Sequence, residues 1–382
     1  MPDRPRDILG GISTAEFLSR YWQKQPCLIR NAFPGFRSFI DARGLMNLAC
    51  REDVESRLVL EKDGDYPWQV LHGPFQRRQF VKLPDSRWTL LVQNVDIHLD
   101  EARDLLDCFA FVPGWRIDDL MVSFAAPAGG VGPHLDSYDV FLLQAEGERR
   151  WCINQSSYTE ADFVPDRDLR IIADFRSDAE WVLKTGDMLY LPPGVAHLGT
   201  APGECITYSI GFRAPSRLEL LGRFVDDGGA QDQRYSDAGM TPATNPGEIT
   251  AQALGRIREM MRSAIAADEP INAWFGRHVT QIPERIDVVR PRKPLTPEEF
   301  LIEWRAHGKA WRSRRCRAAF IRGPGSALTL FVNGQSFLLP AAAEQFVLHL
   351  TGGGVIAAAE NVEETTLQVI CDLYNEGAVI FR

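Results

Sequence analysis

The chain has 382 residues, 45% of them hydrophobic and 24% charged, with a formal net charge of −9; that is the balance of a globular protein long enough for two or three domains. The acidic balance argues against a protein that coats nucleic acid, while leaving room for a local basic patch. Its 7 cysteines are scattered and never form Cys-x-x-Cys, so a disulfide framework and a structural zinc site are not expected and a reducing, cytoplasmic setting is. No apolar run approaches a membrane span, and the first residues lack the apolar centre of a signal peptide.

Taken in chain order, residues 1–120 mix helix and strand signals. Ser13 opens a helix start whose apolar face is Phe17, Leu18, Tyr21 and Trp22, with residues 26–30 as a short strand and 88–95 as a buried one. Between residues 120 and 215 short apolar runs alternate with Gly/Pro turns, at 120–126, 139–143, 149–153, 181–183, 188–191 and 206–212. Many short strands without crossover helices predict a sandwich or barrel and exclude a doubly wound sheet. Residues 216–226 and 247–267 have helical periodicity, separated by a loop rich in Gly, Asp and Ser. Leu254, Ile257, Met261 and Ile265 form an apolar stripe there, read either as packing on the parent domain or as a dimer contact. Pro291-Arg292-Lys293-Pro294 reads as a linker. A helix over 297–307, two strands joined through Asn333-Gly334, two further helices and a final strand over 378–382 follow, an order that resembles a winged helix. The fold class is therefore α+β, with domains at 1–215, 216–290 and 291–382.

The chemistry concentrates in two segments. His134 and Asp136 stand two apart at the start of an apolar strand, and His197 follows a Leu-Pro-Pro-Gly turn onto another. Residues two apart on a strand share a face, so three ligand atoms can meet at one point. Two histidines and a carboxylate on one side of a metal leave the other side open, as in non-haem Fe(II) oxygenases; zinc tolerates the same ligands. The remaining histidines, at 72, 98, 278, 307 and 349, read as structural or surface residues. The glycine-rich loop at 127–132 runs into a strand rather than a helix N-terminus, which excludes a phosphate cradle. An oxygenase that uses 2-oxoglutarate needs a cation for the distal carboxylate, and Arg149 and Arg150 are the candidates, pointing to opposite faces of one strand.

Together, residues 115–124, 129–139, 147–151, 186–199 and 208–213, with Tyr21-Trp22-Gln23-Lys24-Gln25-Pro26 near the start, resemble the JmjC-type ribosomal oxygenases. The resemblance is to the bacterial branch, which hydroxylates an arginine β-carbon in large-subunit ribosomal protein L-sixteen, and it spans essentially the whole chain. It implies a double-stranded β-helix (cupin) core, Fe(II) held by His134, Asp136 and His197, and 2-oxoglutarate held by Arg149 with Ser123. A homodimer through the helical region is implied too. Asp118, Tyr138 and Ser209 are the substrate contacts it favours, a carboxylate and an aromatic face suiting a guanidinium. Thr207 departs from the pattern, which usually has Asn there. The reaction implied is oxidative decarboxylation of 2-oxoglutarate to succinate and carbon dioxide, coupled to hydroxylation of an unactivated C–H bond.

Competing readings are a JmjC histidyl hydroxylase or methyl-lysine demethylase, and nucleic-acid binding by the C-terminal unit through Arg305, Lys309, Arg312, Arg314, Arg315, Arg317 and Arg322. Acidic residues nearly balance that cluster and no stacking aromatic array accompanies it, so a solvated or protein-facing surface is expected instead. A non-enzymatic cupin store is a further reading, against which Arg149 argues.

Overall fold

The computed structural model describes residues 7–62, 68–165, 169–228, 234–236, 238, 249–265, 268–283, 286–359 and 361–382. Most of the loop between the two helical stretches at 216–226 and 247–267 therefore lies outside the described residues, as do the chain's first six. Two compact units are present, Met1–Ala214 with Glu284–Asp287, and Pro215–Pro283 with Val288–Arg382.

The first unit carries strands β1 (Cys27–Ile29), β2 (Ser56–Glu61), β3 (Trp68–His72), β4 (Trp88–Val92), β5 (Ile117–Ala125), β6 (Asp139–Glu146), β7 (Glu148–Asn154), β8 (Ala179–Lys184), β9 (Met188–Leu191), β10 (Ala196–Thr200) and β11 (Cys205–Phe212). Eight form one antiparallel sheet in the order β1-β9-β6-β11-β5-β4-β2-β3, and β10-β7-β8 form a second. Strand alternation sorts the large sheet's residues into two environments. Val140, Leu142, Leu189 and Leu191 pack against Trp151, Ile153 and Leu183 of the small sheet, which closes the two sheets on each other as in a double-stranded β-helix. Phe141, Tyr190, Tyr208 and Phe212 point the other way, into a core shared with helices α1 (Thr14–Arg20), α2 (Ala42–Ala49) and α4 (Asp100–Asp107), the short helix α3 (Arg77–Phe80) lying between the last two in sequence. Ser13 caps α1 by accepting from the Glu16 N–H, a cap that offsets one orphan donor of the first turn. Phe17 on α1 is wholly buried, edge-on to Tyr190 at 5.1 Å.

The buried strand expected over 88–95 stops at Val92, and residues 95–97 turn into a short 3-10 helix. A larger departure concerns the metal-site segment. His134 and Asp136 precede β6 and lie outside any extended strand; His134 forms an isolated antiparallel bridge to His197, and Tyr138 sits in the bend that follows. The strand-face argument for the His-x-Asp pair is therefore replaced by a local one, given below.

In the second unit, α5 (Arg217–Asp226), α6 (Ala251–Ser263) and α7 (Asp268–Thr280) precede α8 (Pro297–His307), β12 (Lys309–Arg312), β13 (Ala318–Arg322), β14 (Leu328–Val332), β15 (Gln335–Leu339), α9 (Glu344–Thr351), β16 (Val355–Ala357), α10 (Glu364–Asn375) and β17 (Val379–Ile380). Helix α8 has the expected bounds because Thr296 and Glu299 form a capping box and Gly308 ends it in the left-handed conformation. Asn333 and Gly334, with φ of 49° and 82°, join β14 to β15; both signs are what a tight hairpin turn needs. Strands β12, β13 and β16 were not expected, and they complete two three-stranded sheets, β16-β12-β17 and β13-β14-β15. Leu254, Ile257 and Met261 on α6, and Ile265 just past its end, are exposed. In the basic cluster Arg322 pairs with Glu344 at 2.6 Å and Arg312 donates to the Thr351 carbonyl. No helix among the described residues is long and apolar enough to cross a membrane.

Candidate active site

His134, Asp136 and His197 come together, their ligand atoms all within 4.8 Å of one another. The loop before β6 and the start of β10 achieve this. The residues before β6 run alongside the start of β10, tied by reciprocal backbone hydrogen bonds between His134 and His197 of 3.0 and 2.8 Å. The Gly194 N–H donates to the Asp136 carbonyl at 2.8 Å, which fixes the carboxylate residue to the Pro-Pro-Gly turn. Each imidazole is oriented by its own chain. His134 Nδ1–H donates to the Gly132 carbonyl at 2.9 Å and His197 Nδ1–H to the Val195 carbonyl at 3.0 Å. A carbonyl can only accept, so in both rings Nδ1 carries a proton and Nε2 is the nitrogen left to serve as a ligand atom. Nε2 of His197 lies 3.7 Å from the Asp136 carboxylate. Burial, with the His134 ring beside it, pushes His197 down to about 4, so the ring is neutral and available as a ligand near pH 7. This donor set fits a divalent metal with one open side.

Between the two sheets lies a second group of unmet polar atoms. Arg149 points inward, 3% exposed, whereas Arg150 points out and is held by Glu180 through two bonds of 2.6 Å. The guanidinium of Arg149 donates from Nη2 to the Gly199 carbonyl at 3.2 Å and lies beside the Cys205 side chain, while its Nε and Nη1 have no oxygen or nitrogen partner among the described residues. It lies 5.0 Å from the Trp151 ring centre, and burial lowers its pKa. Gly199 is required by close approach, since a Cβ there would fall 2.6 Å from both Arg149 Nε and Trp151 Cζ3. A buried cation without an anion is costly, and a planar carboxylate is the group that would meet its free edge. Ser123 is buried and faces inward with Thr207, its register partner; its hydroxyl makes one long bond to the Thr207 carbonyl. Thr207 itself donates to the Gln144 side chain at 3.0 Å, so the departure from Asn is absorbed by a bond within the sheet. Two buried polar atoms that sequence reasoning missed, Trp151 Nε1 and Thr89 Oγ1, also lack partners among the described residues.

The expected substrate contacts separate. Tyr138 is 41% exposed and Ser209 is buried on the inward face of β11. Asp118 belongs to the opposite face of β5 and its carboxylate accepts from Arg213 at 2.9 Å at an exposed position. Its neighbour Asp119 is the inward one. Counting back by twos from Ser123 reaches Met121 and Asp119, and strand period alone carried that signal. Asp119 Oδ2 accepts from the Asn94 N–H at 2.9 Å and from the Gln93 amide at 2.9 Å, with the Gln93 oxygen turned to Arg57 at 3.0 Å. Enclosure, then the adjacent Asp96 carboxylate, pushes Asp119 up to about 7, against the pull of the Asn94 N–H.

Comparison with known proteins decides the family. The JmjC domain family matches residues 104–220. The ribosomal protein uL16 3-hydroxylase of Escherichia coli K12 is 39% identical over 76% of this chain and 77% of its own length. The chain belongs to the JmjC ribosomal oxygenases. A probable ribosomal oxygenase of Haemophilus influenzae is 39% identical over 55% of this chain and 52% of its own. Among solved structures, the Escherichia coli ribosomal oxygenase YcfD in complex with cobalt and 2-oxoglutarate matches with a TM-score of 0.84 at 32% identity, over 97% of this chain and 99% of that one. As a ribosomal oxygenase, the chain has the JmjC fold and is a strand-rich α+β protein.

Proposed function

We propose that the protein is an Fe(II)- and 2-oxoglutarate-dependent dioxygenase that adds a hydroxyl to the β-carbon of an arginine in a large-subunit ribosomal protein of the uL16 type. The observation that carries this reading is the inward Arg149, buried with two of its three guanidinium nitrogens unmet among the described residues, in the same unit as the three clustered metal donors. His134, Asp136 and His197 would hold the iron; Arg149 and Ser123 would hold the distal carboxylate of 2-oxoglutarate. When bound, iron and 2-oxoglutarate together supply the oxidising chemistry that replaces an unactivated C–H by C–OH. What this chain's residues contribute is placement. Arg149 fixes the co-substrate by a charge-assisted pair, the Leu, Val and Trp walls between the sheets exclude water, and Asp119 with Tyr138 and Ser209 receives the target side chain. We infer a carboxylate beside an aromatic ring as the reason for an arginine rather than a neutral imidazole.

The same reading gives the three regions separate tasks. Residues 1–215 catalyse, 216–290 form a homodimer through the exposed stripe of Leu254, Ile257, Met261 and Ile265, and 291–382 form a winged-helix-like unit that faces protein. A cytoplasmic enzyme fits a ribosomal substrate. The test is mass spectrometry of ribosomal proteins from cells with and without the gene, joined to assays of arginine and histidine peptides. A single added oxygen on a uL16-type protein, and turnover of the arginine peptide, is the expected result. Equal turnover of a peptide with histidine in place of the target arginine would remove the arginine assignment.

A further inference from the structure

Asp119 has two carboxylate oxygens with different surroundings. Oδ2 is taken up by the Asn94 N–H and the Gln93 amide. Oδ1 faces Gly211 on β11. The same glycine faces the Tyr138 ring. A Cβ placed on Gly211 would lie 3.6 Å from Asp119 Oδ1, and 3.8 and 4.0 Å from Tyr138 Cε2 and Cδ2. One carbon would thus touch both the carboxylate and the ring at once. Gly211 pairs with Val140 on β6, and at this point the β11–β5 register slips between Ile210 and Phe212, which brings it level with the two aspartates at the start of β5.

We infer that Gly211 is a specificity-determining position for the reaction proposed above: its missing side chain leaves open, between Asp119 Oδ1 and the Tyr138 ring, the slot that a flat cationic side chain fills. The inference rests on the arginine reading and adds to it a reason for the shape of the slot. A guanidinium is planar and carries donors along its edge, so it can lie against an aromatic face while its edge meets a carboxylate. Oδ2 being occupied, Oδ1 is the lobe left for that bond. The glycine is not explained by backbone conformation, because it is absent from the positive-φ positions of the chain. Nor does packing of the fold forbid a methyl there, since contacts of 3.6–4.0 Å are ordinary van der Waals distances. In a strand interior glycine is also the weaker choice for stability. Its presence at a position with room for a methyl is what the slot accounts for.

The experiment compares the unmodified enzyme with Gly211→Ala and Gly211→Val on overlapping uL16 peptides that cover its arginines, reading KM, kcat and melting temperature. The alanine should raise the peptide KM about tenfold and the valine about a hundredfold, as loss of a charge-assisted contact predicts, with kcat changed far less and the alanine's melting temperature not lowered. If Gly211→Val unfolds, Gly211→Ala decides alone. Unchanged KM in the folded variants, while the unmodified enzyme hydroxylates the peptide, would overturn the role of Gly211 and leave the arginine reading intact. A fall in melting temperature that tracks the loss of activity in Gly211→Ala would overturn it too, by making the effect structural. Failure of the unmodified enzyme on every arginine peptide would overturn both.

Discussion

The two faces of the large sheet bury polar groups in opposite ways. On the outer face, Asp139 is fully buried and fully used: it accepts from Arg116 at 2.8 Å, from the Tyr190 hydroxyl at 2.6 Å and from Gln23 at 3.0 Å. Arg116 is itself shared with the Arg213 carbonyl. In the space between the sheets, Arg149, Trp151 and Thr89 keep buried polar atoms without partners among the described residues. Native interiors rarely leave such atoms unmet. A satisfied network stabilises the scaffold, and an unsatisfied one marks where something from outside the chain completes it.

Substitutions can break that contrast. The largest effect belongs to the metal donors: Asp136→Ala should abolish hydroxylation and weaken iron binding while the protein melts as before, checked by turnover of 2-oxoglutarate and calorimetry. Next, Asp139→Ala should cost about 3–5 kcal/mol in urea denaturation, because it strands the buried Arg116 and the Tyr190 hydroxyl. Arg149→Met should do the reverse. It removes a buried unpaired charge, so denaturation should be no easier than in the unmodified protein, while the 2-oxoglutarate requirement rises about tenfold or more. A large loss of stability in Arg149→Met would erase the distinction between the two regions.

A smaller effect sharpens the contrast within β5. Asp119→Asn should raise the KM for an arginine peptide, whereas Asp118→Ala should change it little, since an exposed ion pair is worth about 0–1 kcal/mol. pH separates the two further. With Asp119 held near 7 by enclosure, Asp96, Asp118 and Glu55, the carboxyl is neutral below that pH and anionic above it. The arginine stays cationic throughout, so KM should fall as pH rises from 6 to 8, by up to about tenfold for one pKa unit. The Asp119→Asn variant should show a flat profile over the same range.

Much of this site was legible in the chain. His197 is marked by the turn before it, and Arg149 and Arg150 by their shared strand; the resemblance favours Arg149, and the fold turns it inward and Arg150 outward. The Asn333-Gly334 hairpin and the capped helix α8 followed from local chemistry that tertiary contacts do not override. The resemblance favours Asp118, whereas strand parity counted back from Ser123 turns Asp119 inward and leaves Asp118 on the opposite face with Arg213. Strands β2 and β3 gave no clear signal because charged residues such as Arg57 and Glu61 interrupt their apolar pattern. The pairing of Gln93 with Asp119 and Arg57 joins three strands' ends and has no trace in local sequence.

The tether of each imidazole to a carbonyl two residues back has a consequence for how such a chain can change. A main-chain oxygen is present whatever residue stands there, so substitutions at Val195 leave the anchor of His197 in place. The slot proposed beside Tyr138 would instead rest on the side chains of Gln93, Asp119 and Tyr138 and on the lack of one at Gly211, so that a single replacement there would alter it. The orientation of both rings is thus held by main-chain atoms, while on the proposed reading the choice of target rests on side chains.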